Sequence, residues 1–189
     1  MTISQLRAAR VVGALLLTAA LARAEDAPAP AAPAPASTPA GKPKDCATAE
    51  YRQFDFWLGT WEVRLPDGSL AGANTIEAIL GGCAIVEHWT GALGGRGTSL
   101  NFYDAVTKRW SQTWIDNHGS PLRLEGGFRG GAMVLEGDQT DAAGQTVRNR
   151  LTWTPRADRH VRQLWESSKD RGATWAVEFD GDYAPKRGG

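Results

Sequence analysis

The fold of this chain is indicated most directly by the octapeptide Phe54-Asp55-Phe56-Trp57-Leu58-Gly59-Thr60-Trp61. Three aromatic residues lead into a Gly-x-Trp motif, at the point where a Pro-rich segment gives way to alternating apolar and polar residues. Such alternation is typical of half-buried strands, because successive side chains of a strand point to opposite faces. We therefore expect a β domain here, preceded by a short helix or turn over Ala47–Leu58 that lays Phe54 and Trp57 against its base.

The first 24 residues have the features of a secretory signal peptide. Arg7 and Arg10 form a positive n-region, Val11–Leu21 is apolar, and Ala22-Arg23-Ala24 is a small-residue cleavage site. An apolar run of 11 residues is shorter than the roughly 20 that a membrane helix needs, although an uncleaved anchor is the alternative. The sequence thus predicts a periplasmic or secreted protein with no membrane span in its mature form.

The next segment, residues 25–45, is a predicted disordered linker. It alternates Ala and Pro and holds six of the ten prolines of the chain, a composition that favours an extended spacer over a packed core. A Pro-rich docking motif is the alternative. We place the folded domain at residues 46–184 and a disordered tail at residues 185–189.

Charge and histidine usage argue against two classes of partner. The chain has 21 basic and 21 acidic residues, and loss of the leader with Arg7, Arg10 and Arg23 leaves a net charge of −3. There is no basic field for nucleic acid. His88, His118 and His160 have no second His or Cys at metal-ligand spacing, so neither a metal nor another cofactor is predicted.

The two cysteines, Cys46 and Cys83, are expected to form a disulfide. An even number of cysteines in an exported protein favours pairing. In the chain-entropy model a loop of this length stabilises the fold by about 3–4 kcal/mol. A catalytic thiol is the alternative, but neither cysteine has a sequence neighbour that would lower its pKa.

The rest of the domain alternates strands with short turns, which predicts an all-β fold. Turns such as Pro66-Asp67-Gly68-Ser69 and Asn117-His118-Gly119-Ser120-Pro121 are of hairpin length. Short connections between successive strands predict an antiparallel up-and-down β-barrel of about 8–10 strands, with a β-sandwich as the alternative. The predicted strands are Thr60–Leu65, Leu70–Ile79, Ala84–Thr90, Thr98–Asp104, Arg109–Asp116, Leu122–Phe128, Ala132–Gly137, Thr146–Thr154, Val161–Ser167 and Thr174–Asp180.

One face of several strands combines large aromatic residues with amides and carboxylates. A dry core does not tolerate so many polar groups without partners, and a solvent-facing surface does not carry so many tryptophans. A barrel interior that holds a ligand suits both kinds of residue; the alternative is a core whose polar groups lie near the rims. The predicted ligand-binding residues are Glu87, Trp89, Asn101, Tyr103, Trp110, Gln112, Trp114, Asp116, Gln163 and Trp165.

The inward register of the strand at 146–154 is ambiguous from sequence. Arg148 and Arg150 share one face, and Asn149, Leu151 and Trp153 share the other. An inward arginine face would allow an ion pair with Glu87 or Asp116 inside the barrel, whereas an outward one would be solvated.

Several stretches together resemble an exported bacterial domain family of unknown function. The resemblance spans Cys46 to Tyr183 and implies a lipocalin- or calycin-like barrel with no agreed activity. It rests on Phe54–Trp61, Gly82-Cys83 leading into Glu87-His88-Trp89, Ser99–Asp104, Trp110–Asp116, Trp153-Thr154-Pro155 and Arg162–Glu166.

The Gly-x-Trp motif resembles the start of two further barrel families. In lipocalins this indole plugs the closed end and is covered by an Arg from a late strand, which makes Arg162 the expected partner of Trp61. Leu58-Gly59-Thr60-Trp61 is also similar to the start of haem-binding nitrobindins, which are ten-stranded barrels. This chain lacks their glycine-rich second motif and their C-terminal iron-binding His.

These observations predict a protein that binds a small amphipathic molecule inside a barrel. One alternative is an enzyme in the same pocket with Glu87 or Asp116 as acid or base. The sequence has no nucleophile elbow or phosphate-binding motif that would indicate another kind of catalytic site. Another is an envelope module that engages a protein through its outer face. The sequence predicts neither the ligand nor the oligomeric state.

Overall fold

A computed structural model describes residues 46–186, which form a closed antiparallel barrel of ten strands. Short 3₁₀ segments lie at Ala49–Arg52, Asp55–Trp57 and Leu80–Gly82. The strands are β1 (Gly59–Arg64), β2 (Leu70–Ile79), β3 (Ala84–Gly91), β4 (Arg96–Asp104), β5 (Arg109–Asp116), β6 (Pro121–Arg129), β7 (Ala132–Thr140), β8 (Thr146–Pro155), β9 (Val161–Ser168) and β10 (Ala176–Pro185).

Each strand pairs with the next along the chain, and β1 closes the barrel by pairing with β10. At the closure Val63 lies opposite Tyr183, and Trp61 lies opposite Pro185. The predicted all-β, up-and-down barrel is confirmed, and the β-sandwich is wrong. The largest error in strand bounds is at β10, which was expected to end at Asp180. Pro185, assigned to the tail, is the last residue of this strand.

The two ends of the barrel differ. The hairpin turns at residues 65–69, 92–95, 117–120, 141–145 and 169–175 lie at one end, which we call the open end. The chain enters at the other end, where Phe54 and Trp57 are completely buried. Their rings stack with centroids 4.8 Å apart, and both contact Trp153, at 5.2 and 5.4 Å. We call residues 49–58 the plug, because they close this end.

The Gly-x-Trp motif joins the plug to β1. The indole nitrogen of Trp61 donates a hydrogen bond of 2.9 Å to the carbonyl of Trp57. Gly59 has a φ of 137°, a backbone conformation that favours glycine because other residues rarely adopt it. The expected cover by Arg162 is wrong: Arg162 pairs with Asp180 at 2.7 Å.

The predicted disulfide is confirmed. Cys46 and Cys83 are bonded, with their Cα atoms 5.0 Å apart and 37 positions apart in sequence. Beside the bond, the Arg52 guanidinium donates hydrogen bonds to the carbonyls of Gly82 and Cys46. The chain before the plug is thereby attached to the β2–β3 connection.

Three of the predicted segments lie outside residues 46–186: the signal peptide, the linker, and residues 187–189 of the tail. Within the described part of the chain, no helix has both the length and the apolar character needed to cross a membrane.

We expect reduction of the disulfide to destabilise the barrel without unfolding it at room temperature. Removing a cross-link over a loop of this length costs about 3–4 kcal/mol, which corresponds to a fall in Tm of about 10–15 °C for a domain of this size. Thermal melts followed by circular dichroism, with and without reductant, test this. A Cys46→Ala/Cys83→Ala double variant is the control and should not respond to reductant. Equal melting temperatures for the oxidised and reduced wild-type protein would contradict the prediction.

Candidate ligand-binding site

A cavity of about 310 Å³ occupies the barrel lumen on the side of the open end. Its size is within the range of small-molecule pockets. Seven of the ten predicted ligand-binding residues line it: Glu87, Trp89, Gln112, Trp114, Asp116, Gln163 and Trp165.

The inward faces of β3, β4, β5 and β9 are those that the alternation predicted. Glu87, Ser99 and Gln112 are all buried. On β8 the apolar face points inward, since Leu151 and Trp153 are buried. The suggested pairing of an inward arginine with Glu87 or Asp116 is therefore wrong.

The β8 arginines form outer ion pairs instead. Arg148 pairs with Glu136 at 3.1 Å, and Arg150 pairs with Glu166 at 2.9 Å. Because the neighbouring outer positions of β7 and β9 carry these carboxylates, the guanidinium groups keep a charged partner without leaving solvent.

Three predicted residues face inward but do not line the cavity: Asn101, Tyr103 and Trp110. Tyr103 and Trp110 lie opposite each other where β4 ends and β5 begins, close to the plug. The Trp110 indole donates a hydrogen bond of 3.2 Å to Gln53 and packs edge-on against Phe54 at 5.6 Å. Tyr103 and Trp110 therefore belong to the base of the barrel. Alternation predicted their face correctly, but it carries no information about the depth of a residue along the barrel axis.

The cavity also includes residues that were not predicted. Trp153 and Leu151 share the β8 face with Asn149, so the same period-two pattern would have revealed them once the register was known. Tyr183 was missed because β10 was expected to end at Asp180, and Phe179, which lies within the predicted strand, was missed because no inward face was assigned to that strand. At the open end the lining includes Gly95, Arg96, Asn117, His118, Leu122 and Glu178.

A buried carboxylate lies on the cavity floor. Glu87 receives hydrogen bonds from the Asn74 amide at 2.7 Å and the Ser99 hydroxyl at 2.6 Å. Both donors are neutral. None of the ion pairs formed by residues 46–186 includes Glu87, so its charge has no counter-ion there.

Hydrogen bonds continue from Glu87 across the lumen on both sides. On one side Asn101 donates to Ser99 at 2.9 Å, and Gln112 donates to Asn101 at 2.8 Å. On the other side, the Trp153 indole donates a hydrogen bond of 3.0 Å to Gln163, and the Tyr183 hydroxyl donates to the same side chain. The two sides approach each other through a long contact of 3.5 Å from Asn74 to Tyr183. We call this set the polar belt: Asn74, Glu87, Ser99, Asn101, Gln112, Trp153, Gln163 and Tyr183.

The pKa values of the titratable groups in the cavity are shifted in opposite directions. Burial raises the pKa of the Glu87 carboxyl, and the hydrogen bonds from Ser99 and Asn74 only partly oppose this. Burial and the nearby Glu87 also raise the pKa of the Tyr183 phenol well above its ordinary value. The pKa of Asp116 is lowered, mainly by the backbone N–H of Ser120. Asp116 thus stays ionised and organises the β5–β6 turn, whereas Glu87 favours protonation.

Glycines on the inner wall make room for the aromatic side chains of the cavity. A Cβ on Gly97 would lie 2.1 Å from the benzo ring of Trp114, and one on Gly72 would lie 2.9 Å from that of Trp89. A Cβ on Gly181 would similarly lie 2.5 Å from the Phe179 ring. The rings occupy space that side chains would otherwise fill, so they can lie close to the wall and leave the lumen open.

Comparison with known proteins does not identify a relative. Neither protein-family models nor curated protein sequences match this chain. Within residues 46–186 no group of three or more His, Cys, Asp or Glu side chains is placed to hold a metal ion. The closed ten-stranded barrel has the architecture of a calycin-like fold.

We expect Glu87→Gln to stabilise the protein above neutral pH. When folding raises the pKa of a carboxyl, that group contributes less to stability as the pH rises from the pKa of the unfolded state through the pKa of the folded state. The variant has the same shape and no such loss, so its Tm should exceed that of wild type near pH 8 and approach it near pH 5. Thermal melts of both proteins over this range provide the test. A Tm difference that does not change with pH would show that Glu87 has no raised pKa.

Proposed function

We propose that this protein is an exported binding protein whose barrel lumen holds a small amphipathic molecule. The observation that carries the proposal is the cavity itself, which has aromatic walls and a polar floor. Trp89, Trp114 and Trp165 provide apolar contact area, and the polar belt provides a few oriented groups, which is the usual division of roles in a small-molecule site.

The position of Glu87 supports a functional role for the floor. A buried carboxylate without a counter-ion costs stability, and apolar residues of similar volume would pack there at lower cost. Proteins retain such groups most often at sites where activity requires them. Glu87 is such a group, and it faces the cavity.

The glycine positions support an open lumen as a feature of the fold. Gly72 and Gly97 weaken their strands, because glycine lacks a side chain to pack. They also allow two tryptophans to remain against the wall. The plug fills the base of the barrel and the polar belt lies above it, so the space left by these glycines lies on the side of the open end.

Export is part of the proposal and is supported by two features. The predicted leader directs the chain out of the cytoplasm, and a disulfide such as Cys46–Cys83 persists in oxidising compartments. The motif resemblance to an exported calycin-like family agrees with both features.

We expect Gly97→Ala to impair ligand binding. The added methyl group would displace Trp114 toward the lumen and reduce the cavity, so occupancy should fall by about tenfold or more. The measurement is native mass spectrometry of protein purified from its own envelope fraction, with identification of any released small molecule.

The matched control is Gly127→Ala on β6. A Cβ on Gly127 would have no neighbouring atom within 4 Å, and the residue has no left-handed φ, so this variant should bind as wild type does. Apo masses for wild type and both variants, with no response of Trp fluorescence to a broad metabolite panel, would refute the binding proposal and favour a role for the outer face.

An enzyme in the same cavity is the second candidate, and the raised pKa of Glu87 favours it. A carboxyl that titrates nearer to neutral pH suits general acid–base chemistry. Asp116 does not suit this role, because its pKa is lowered and its carboxylate accepts hydrogen bonds from a turn. The enzyme candidate requires that the released molecule be converted by wild type and not by Glu87→Gln; unchanged recovery of the molecule from wild type excludes it.

A further inference from the structure

We propose that the molecule held in the cavity is an organic cation, an alkylammonium or protonated amine whose positive nitrogen is paired with Glu87 and surrounded by the tryptophan rings. This inference rests on the proposed binding function and specifies its ligand class. It follows from the charges, the aromatic walls and the unpaired acceptors of the cavity.

The charged groups of the lining are mostly acidic. Glu87, Asp116 and Glu178 contribute three carboxylates, against a single arginine, Arg96, and the imidazole of His118. Glu178, Arg96 and His118 are all exposed at the open end, where solvent screens them, and the Asp116 carboxylate accepts backbone N–H groups of its own turn. Glu87 is buried, so its field inside the lumen is screened least. An anionic ligand would meet repulsion at the floor, whereas a cationic ligand would be attracted there.

The floor has spare acceptors and no charged donor. Each oxygen of Glu87 takes one hydrogen bond from a neutral group, and a carboxylate accepts about four. Asn74, which donates to Glu87 but does not itself line the cavity, has a buried Oδ1 with no hydrogen-bond partner among the described residues. With a neutral ligand, burial favours the protonated form of Glu87, whereas a cation would supply the counter-ion that the ionised carboxylate lacks.

The walls suit a cation as well as an apolar group. Indole rings attract alkylammonium groups through their electron-rich faces, and Trp is the strongest aromatic partner in such cages. Trp165 is held by a hydrogen bond of 2.9 Å from its indole nitrogen to Asn149, and Trp153 by its bond to Gln163. Since both indole N–H groups are occupied by the protein, these rings do not offer donors to an anionic ligand.

Binding of a cation should be linked to protonation of Glu87. Burial raises the pKa of this carboxyl in the free protein, so a cation that favours the carboxylate displaces a proton and binds more tightly as the pH rises. Tyr183, which faces Glu87 from β10, has its pKa raised well above 10 and stays neutral. The other ionisable groups of the lining are Asp116, Glu178, His118 and Arg96.

The test is calorimetric titration of the mature protein with matched probes. The cations are choline and benzylammonium, the neutral counterparts are 3,3-dimethylbutan-1-ol and benzyl alcohol, and the anion is benzoate. We expect each cation to bind at least about tenfold more tightly than its neutral counterpart. Glu87→Gln should remove most of this preference and the increase of cation affinity with pH.

Glu125→Gln is the control for net charge, because Glu125 is exposed and pairs with Arg109 on the barrel exterior; its cation affinity should equal that of wild type. Failure of both cations to bind at about 10 mM overturns the cation proposal, as does a neutral or anionic probe that binds more tightly than the cations. Neither result refutes the binding function if wild-type protein still co-purifies with a molecule that Gly97→Ala lacks. Absence of any co-purified molecule in both proteins would refute the binding function itself.

Discussion

The pairing of β1 with β10 is the constraint on which the interior of this protein depends. Antiparallel hydrogen bonding from Trp61 to Arg64 joins the first strand to the last and leaves no free sheet edge. Closure gives every strand one face in the lumen. It also brings Tyr183 beside Val63 and places its hydroxyl near Asn74 of β2. The polar belt therefore connects the last strands with the first ones, although they are far apart in sequence.

The lumen has three layers with different physical roles. At the base, Phe54 and Trp57 pack with Trp110 and Trp153 as a dry aromatic core. Above it lies the polar belt, whose hydrogen bonds run across several strands and orient the side chains of the floor. The cavity lies above the belt, with Trp89 and Phe179 in edge-to-face contact near the open end at 6.1 Å.

Alternation in single strands was sufficient to predict seven of the seventeen residues that line the cavity. In β3, β5 and β9 the combination of Trp with Gln, Glu or Asp on one face identified residues that line the cavity. The same rule placed Tyr103 and Trp110 on the correct face but at the wrong depth. Depth depends on the tilt and stagger of the strands around the barrel and on the position of the plug, and neither is a property of one strand.

Electrostatic relationships were the least predictable. Sequence allowed Arg148 or Arg150 to reach Glu87, and Arg162 to cover Trp61. In the folded chain these arginines have carboxylate partners on neighbouring strands outside the barrel, since outward positions keep a guanidinium hydrated as well as paired. The difference between Glu87 and Asp116, one with a raised and the other with a lowered pKa, also depends on surroundings that several strands supply.

The sequence by itself determined the secondary structure, the order of strands and the disulfide of this protein, because turns, period-two alternation and cysteine pairing are local or pairwise properties of a chain. It also determined which residues face inward on β3, β4, β5 and β9. Only the tertiary structure decided which inward residues fill the base and which surround the cavity, and which carboxylate is buried without a counter-ion. The physical reason is that depth, burial and local dielectric arise only when all ten strands close around the plug.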